Sequence, residues 1–127
     1  MNMKSTLHDF LMGLPCVILD YPFGEDIHVY KVEDKIFAIY SKDANTERIN
    51  LKCDPEYAQQ LRALFSEVTP GYHMNKKHWN TIDLKGDLPE SEIFNLVDHS
   101  YNLIVKKLPK AIKQKLRIKY ERLAWLE

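Results

Sequence analysis

The chain has 127 residues, 45% of them hydrophobic and 28% charged, and its 18 basic and 18 acidic side chains give a net charge of zero. One domain of this size buries roughly two-thirds of its unfolded surface and needs no disulfide or metal to be stable, and the composition excludes wholesale disorder. No apolar run approaches the ~20 residues of a membrane span, and Cys16 and Cys53 are too few and too far apart for a disulfide framework or a zinc site of paired spacing.

The N-terminus carries His8 and Asp9 where a signal peptide would have its apolar core, so the cytoplasm is the expected compartment and no membrane is expected as a partner. Both cysteines are expected to be buried thiols. Thr6 and Asp9 have the spacing of a helix start, and Leu7, Phe10 and Leu11 share one face; a first helix is expected from about Thr6 to Met12, ending near Gly13 and Pro15. Short β-rich runs follow at Cys16–Tyr21, Ile27–Val32, Lys35–Tyr40 and Glu47–Lys52, an antiparallel meander. The third run is apolar on both faces, which predicts a central strand.

Asp54-Pro55-Glu56 opens a second helix, with Asp54 as cap and Pro55 in the first turn, and Tyr57, Leu61, Leu64 and Phe65 are its expected buried stripe. After Val68-Thr69-Pro70-Gly71 comes a loop dense in lysine, histidine, amide and aromatic groups, then a strand over about His78 to Leu84. A long helix begins near Pro89, with Ile93, Leu96, Val97, Tyr101, Ile104 and Leu108 as its core face, and Pro109 breaks it. The last segment, 109–127, reads as a basic amphipathic helix.

Charge is divided unevenly along the chain. Residues 1–105 hold 10 Lys and Arg against 16 Asp and Glu, a net of −6, whereas residues 106–127 hold 8 against 2, a net of +6. The tail is expected to dock back on the acidic body as an intramolecular partner, and residues 1–108 to form the domain that it docks on. A second reading has Lys106, Lys107, Lys110, Lys113, Lys115, Arg117, Lys119 and Arg122 binding a polyanion on their own.

Tyr21-Pro22-Phe23-Gly24, Lys35-Ile36-Phe37-Ala38, Asn50-Leu51-Lys52-Cys53-Asp54-Pro55, Gly71-Tyr72-His73-Met74-Asn75-Lys76-Lys77-His78-Trp79-Asn80 and Asp98-His99-Ser100-Tyr101 occur in an order that resembles the MmcQ/YjbR family, from the first helix to about Lys107. The resemblance implies a two-layer α+β fold similar to CyaY/frataxin, an antiparallel sheet with helices packed on one face. It also implies a protein described as DNA-binding through a pair of wing-like elements, and the chain itself, which carries no catalytic constellation, is not expected to be an enzyme. The iron-holding acidic ridge of frataxins has no counterpart here. Helix one offers only Asp9, while Glu25 and Asp26 fall in a loop, so no iron chemistry and no cofactor is expected.

Lys76 and Lys77, expected to be exposed, with His78, Trp79 and Tyr72, form the first candidate wing for phosphates of double-stranded DNA. Lys31 and Lys35 mark a second at the hairpin, and Lys42 or Lys52 would extend the basic surface. Trp79 is expected in the core; simple alternation with Ile82 and Leu84 places it on the opposite face, and a bulge would bring it inward. Asn75 and Asn80 read as turn-closing residues. The alternative is an interaction module in which Tyr72, His73 and Trp79 hold a small anion or a peptide. His73 and His78 are five apart, which suits neither a helical nor a strand metal pair, and no phosphate-loop or nucleophile-elbow motif occurs. A reactive Cys53 at a helix N-terminus is the remaining catalytic option, and it is not favoured.

Overall fold

The computed structural model describes the backbone of residues 3–119 and the side chains of residues 6–116. In chain order the elements are α1 (Met3–Gly13), β1 (Val17–Asp20), β2 (Ile27–Val32), β3 (Lys35–Lys42), β4 (Glu47–Lys52), α2 (Pro55–Leu64), β5 (Val68–Pro70), β6 (Trp79–Asp83), α3 (Glu90–Lys106) and α4 (Lys110–Lys119). The strands form one antiparallel sheet in the order β1-β2-β3-β4-β6-β5, with helices covering one face, so the chain is α+β with two layers. Leu7 and Leu11 of α1 and Ile93, Val97 and Tyr101 of α3 pack with Tyr30, Phe37, Ile49, Leu51 and Ile82 of the sheet in one core. β3 is interior to the sheet and buries Phe37, Ala38, Ile39 and Tyr40 in succession, as its two apolar faces require.

Several local expectations are corrected. α1 begins at Met3, so Thr6 and Asp9 lie inside the helix rather than capping it. β5 is a strand that the sequence does not predict; three residues are too few to show a period, and pairing with β6 at the sheet edge makes them one. In α2 the buried residues are Ala58 and Leu61, whereas Leu64 is 73% exposed. The helix ends there and Phe65, extended at the C-cap, takes the inward place. Cys53 is buried, but Cys16, in a left-handed conformation (φ 60°), is only half-buried.

Pro109 separates α3 from α4, as expected. α4 packs on the body through Leu116, 1% exposed, and Ile112. The polyanion contacts expected of Arg117, Lys119 and Arg122 fall on side chains outside the described residues.

His99 fastens α3 to the start of α2: its Nε2 accepts from the Asp54 N–H at 3.2 Å, and its ring stands edge-on to Tyr57 at 5.0 Å. Burial holds its pKa below the ordinary histidine value, partly offset by the Asp54 carboxylate and reinforced by Lys106. The unfolded chain therefore takes up this proton first. The His99 contribution to stability is complete above about pH 6.5 and is lost as pH falls from there through the folded pKa. Urea midpoints should be lower at about pH 5.5 than at about pH 7.5, and the difference should shrink in His99→Gln. An equal difference in the variant would assign the pH dependence to other groups.

Candidate functional site

The loop of residues 71–78 joins β5 to β6 at the end of the sheet where β4 finishes. Lys52 faces Trp79 in register, and the pairing runs one step further as the Cys53 N–H donates to the His78 carbonyl at 2.8 Å. At the neck of the loop the Gly71 N–H donates to the Trp79 carbonyl at 2.8 Å. A Cβ on Gly71 would lie 2.7 Å from Trp79 Cβ and 2.9 Å from the Trp79 oxygen, so the backbones approach this closely only with glycine here.

Inside the loop, His73 adopts φ 58°, the Met74 N–H donates to the Gly71 carbonyl at 3.2 Å, and the His78 N–H to the Asn75 carbonyl at 3.2 Å. Asn75 closes a local turn by accepting from the Lys77 N–H at 2.9 Å. Arg62 of α2 holds the C-terminal half of the loop. Its Nε donates to Asn80 Oδ1 at 2.7 Å, and Nη2 donates to the Lys76 carbonyl and, at 3.3 Å, to the Trp79 carbonyl.

On the uncovered face of the sheet a closed polar ring fixes the neighbouring residue. The Tyr72 N–H donates to Thr81 Oγ1 at 2.8 Å, Thr81 Oγ1 donates to Asn50 Oδ1 at 2.6 Å, and Asn50 Nδ2 donates back to the Tyr72 carbonyl at 3.4 Å. The Tyr72 ring is left half-exposed, with the Arg48 guanidinium 4.4 Å from its centre and the His73 ring at 4.0 Å. A tyrosine held by a cation on one side has a π-face partly in use already.

Lys76 and Lys77 are exposed, and among the described residues no carboxylate pairs with either; the Lys76 ammonium reaches only the Gly71 carbonyl, at 3.4 Å. His78 and Trp79 are half-buried. The β4–β6 register runs unbroken from Arg48 opposite Asp83 to Lys52 opposite Trp79, so no bulge turns Trp79 inward, and half-buried it is neither a core residue nor a free platform. Asn80 belongs to the loop's support through Arg62 rather than to a turn.

The second wing differs from expectation. Lys31 is bound to Asp20 at 3.0 Å, a contact that, with the Tyr21 N–H, holds the Asp20 carboxyl below its usual range. The hairpin tip is Glu33-Asp34, both at positive φ in a tight two-residue turn, so Lys35 stands exposed beside two acids. Lys42 pairs in register with Glu47, at the opposite end of the sheet from Lys52. Asp43, Glu47 and Asp83 lie at that opposite end, with Asp87 bonded through its N–H to the Glu67 carboxylate just before β5. The register therefore brings Lys35, Lys52, Lys76 and Lys77 to one end, and Lys107, the C-cap of α3, joins them there. Arg62 has no local signal for this role because its contacts with the loop are tertiary; Lys107, expected to act with the basic tail, lies instead with Lys35 and Lys52 at this end of the sheet.

Cys53 does not have the character of a nucleophile. Burial, with the Asp54 charge adding and Arg62 opposing, pushes its thiol up to about 11.

Residues 12–103 match the family model YjbR. The chain is 35% identical to the uncharacterized protein YbdF of Escherichia coli O157:H7 over 118 residues, 90% of this chain and 97% of that one. It is 46% identical to the uncharacterized protein YjbR of Escherichia coli K12 over 88 residues, 69% of this chain and 74% of that one. The crystal structure of Deinococcus radiodurans protein DR2400, described as a DUF419 domain, superposes with a TM-score of 0.83 at 33% identity, covering 89% of this chain and 86% of that one.

Proposed function

The chain belongs to the YjbR family, and on that premise we propose that it is a small, non-enzymatic cytoplasmic module that holds double-stranded DNA by its phosphates. Lys76 and Lys77 are the principal contacts and Lys35 a flanking one. The observation that supports this reading most directly is that two neighbouring exposed lysines, free of internal carboxylates among the described residues, are carried on a loop braced by Arg62. A braced loop loses little conformational freedom on binding. Backbone contacts alone give no base reading. Lys31, neutralised by Asp20, drops out of the interface, and Trp79, half-buried, contributes an edge at most.

Affinity should be modest, because acids at the far end of the sheet cancel the long-range field of a neutral chain. Fluorescence anisotropy with a short duplex at low salt should show binding with a Kd on the order of 10⁻⁵ M. Lys76→Ala with Lys77→Ala should flatten the plot of log K against log salt by about 1.8, near 0.9 for each lost phosphate contact. Binding that is absent, or unchanged by the double substitution, sinks the proposal. A contribution of the tail is better tested by Lys113→Glu with Lys115→Glu than by truncation, since cutting after Leu108 would remove the buried Leu116.

A further inference from the structure

Apart from the loop, the same end of the sheet carries a cavity of about 280 Å³ lined by Lys35, Lys52, Lys107, Ile104 and Leu108. Its three ammonium groups come from three elements: the first residue of β3, the last of β4 and the C-cap of α3. No carboxylate is among the lining residues. We propose that this cavity is a binding site for a terminal phosphate monoester, a group with two negative charges and three accepting oxygens.

The charge arrangement is what asks for such a ligand. Lys52 is half-buried, and its ammonium pKa is held below the ordinary lysine value first by burial, then by Lys107 and Lys35. Three like charges around one hollow repel one another until an anion enters between them. The local backbone gives no help. Lys107 sits at the C-terminal, negative end of α3, and its N–H is already spent on the Ile104 and Val105 carbonyls. Attraction must therefore come from the lysines alone, which favours a dianion over a carboxylate or the single charge of an internal phosphodiester. A phosphate monoester, with its second pKa near 6, carries about two charges at neutral pH.

The shape agrees. The volume exceeds the ~30 Å³ share of a water several times over, so a phosphate enters with part of what carries it. Ile104 and Leu108 supply an apolar wall for that attached group. Two carriers share this chemistry, a small phosphorylated molecule and the phosphorylated end of a nucleic acid strand. The site does not depend on the loop of residues 71–78.

The test is a ¹H–¹⁵N NMR titration of the full chain with sodium phosphate against sodium chloride of equal ionic strength. Saturable shifts are expected at the amides of Lys52 and Ile104 to Leu108, with a Kd on the order of 1 mM. Lys107→Glu, at an exposed position, should weaken binding about tenfold or more. Lys52→Met is a second variant that removes the half-buried charge, and Lys85→Ala, at the other end of the sheet, should change nothing. Shifts that never saturate, or that match those in chloride, overturn the site, as does saturation unaffected by both Lys107→Glu and Lys52→Met.

Hairpin duplexes with a 5′-phosphate and a 5′-hydroxyl distinguish the carriers. Preference for the phosphorylated hairpin, lost in Lys107→Glu, assigns the nucleic acid end; saturation by phosphate with equal hairpin binding assigns a small molecule. Binding of neither hairpin would defeat the DNA reading above while leaving this site standing on its phosphate titration.

Discussion

Arg62→Ala should lower stability by roughly 3 kcal/mol and release the loop that carries Lys76 and Lys77. The guanidinium makes three contacts with one planar group: Asn80 Oδ1 at 2.7 Å, the Trp79 carbonyl at 3.3 Å and the Lys76 carbonyl. Asn80 is 2% exposed, so its oxygen would be left buried without that partner, at a cost of about 1–3 kcal/mol. The two carbonyls can turn to water, and the loop would follow them. Lysine should not rescue, because a point-like ammonium cannot reach acceptors spread along a planar fork.

Two measurements distinguish bracing from stability in general. Hydrogen exchange at the amides of Gly71, Met74, Lys77 and His78 should accelerate more than exchange in β3, and DNA affinity should fall though no lysine has been removed. Uniform acceleration across the sheet, or a loop as protected as before, would show that Arg62 is one more packing residue and that the loop holds itself.

That role was out of reach of the sequence for a physical reason. The elements that could be read were those whose signal is local. β2 and β4 are found at Ile27–Val32 and Glu47–Lys52, the bounds expected from apolar runs flanked by turn residues. α2 opens as expected, with the Asp54 carboxylate accepting from the Tyr57 N–H at 3.2 Å. α3 buries the Ile93, Leu96, Val97, Tyr101 and Ile104 face that its spacing marks. β5 and the exposure of Leu64 are set instead by what lies opposite them in space. The site divides in the same way. That Lys76 and Lys77 stand free on a loop could be read from chain chemistry, but Lys31 differs from them only through Asp20, eleven residues away on the next strand. Arg62, an ordinary basic residue in the last turn of a helix, matters because of carbonyls 14 and 17 residues further on.

Ser100 is the second residue whose weight comes entirely from the fold. The β3–β4 register starts at Ala38 opposite Leu51, next to an irregularity in the pairing of β2 with β3 that leaves Phe37 without a partner in that ladder. The Phe37 carbonyl and the Lys52 N–H lie on the two strands one position beyond that start. The Ser100 hydroxyl bonds to both: it donates to the Phe37 carbonyl at 2.6 Å and accepts from the Lys52 N–H at 2.9 Å, itself fully buried on α3. One side chain thus bridges two strands and ties the long helix to both. Ser100→Ala keeps the volume nearly unchanged but strands two backbone groups, at about 1–3 kcal/mol each where water cannot enter, so a loss of roughly 3 kcal/mol is expected. Ser100→Thr retains the hydroxyl and should lose less, apart from the methyl it must fit into a full core. Because Lys52 is one of the bonded residues, the alanine variant should also weaken phosphate binding at the three-lysine cavity before the protein unfolds, while leaving the Arg62-braced loop in place. A loss below about 1 kcal/mol by urea denaturation would mean that the strands close on one another without the serine, and that the gap it spans is not a fixed part of the sheet.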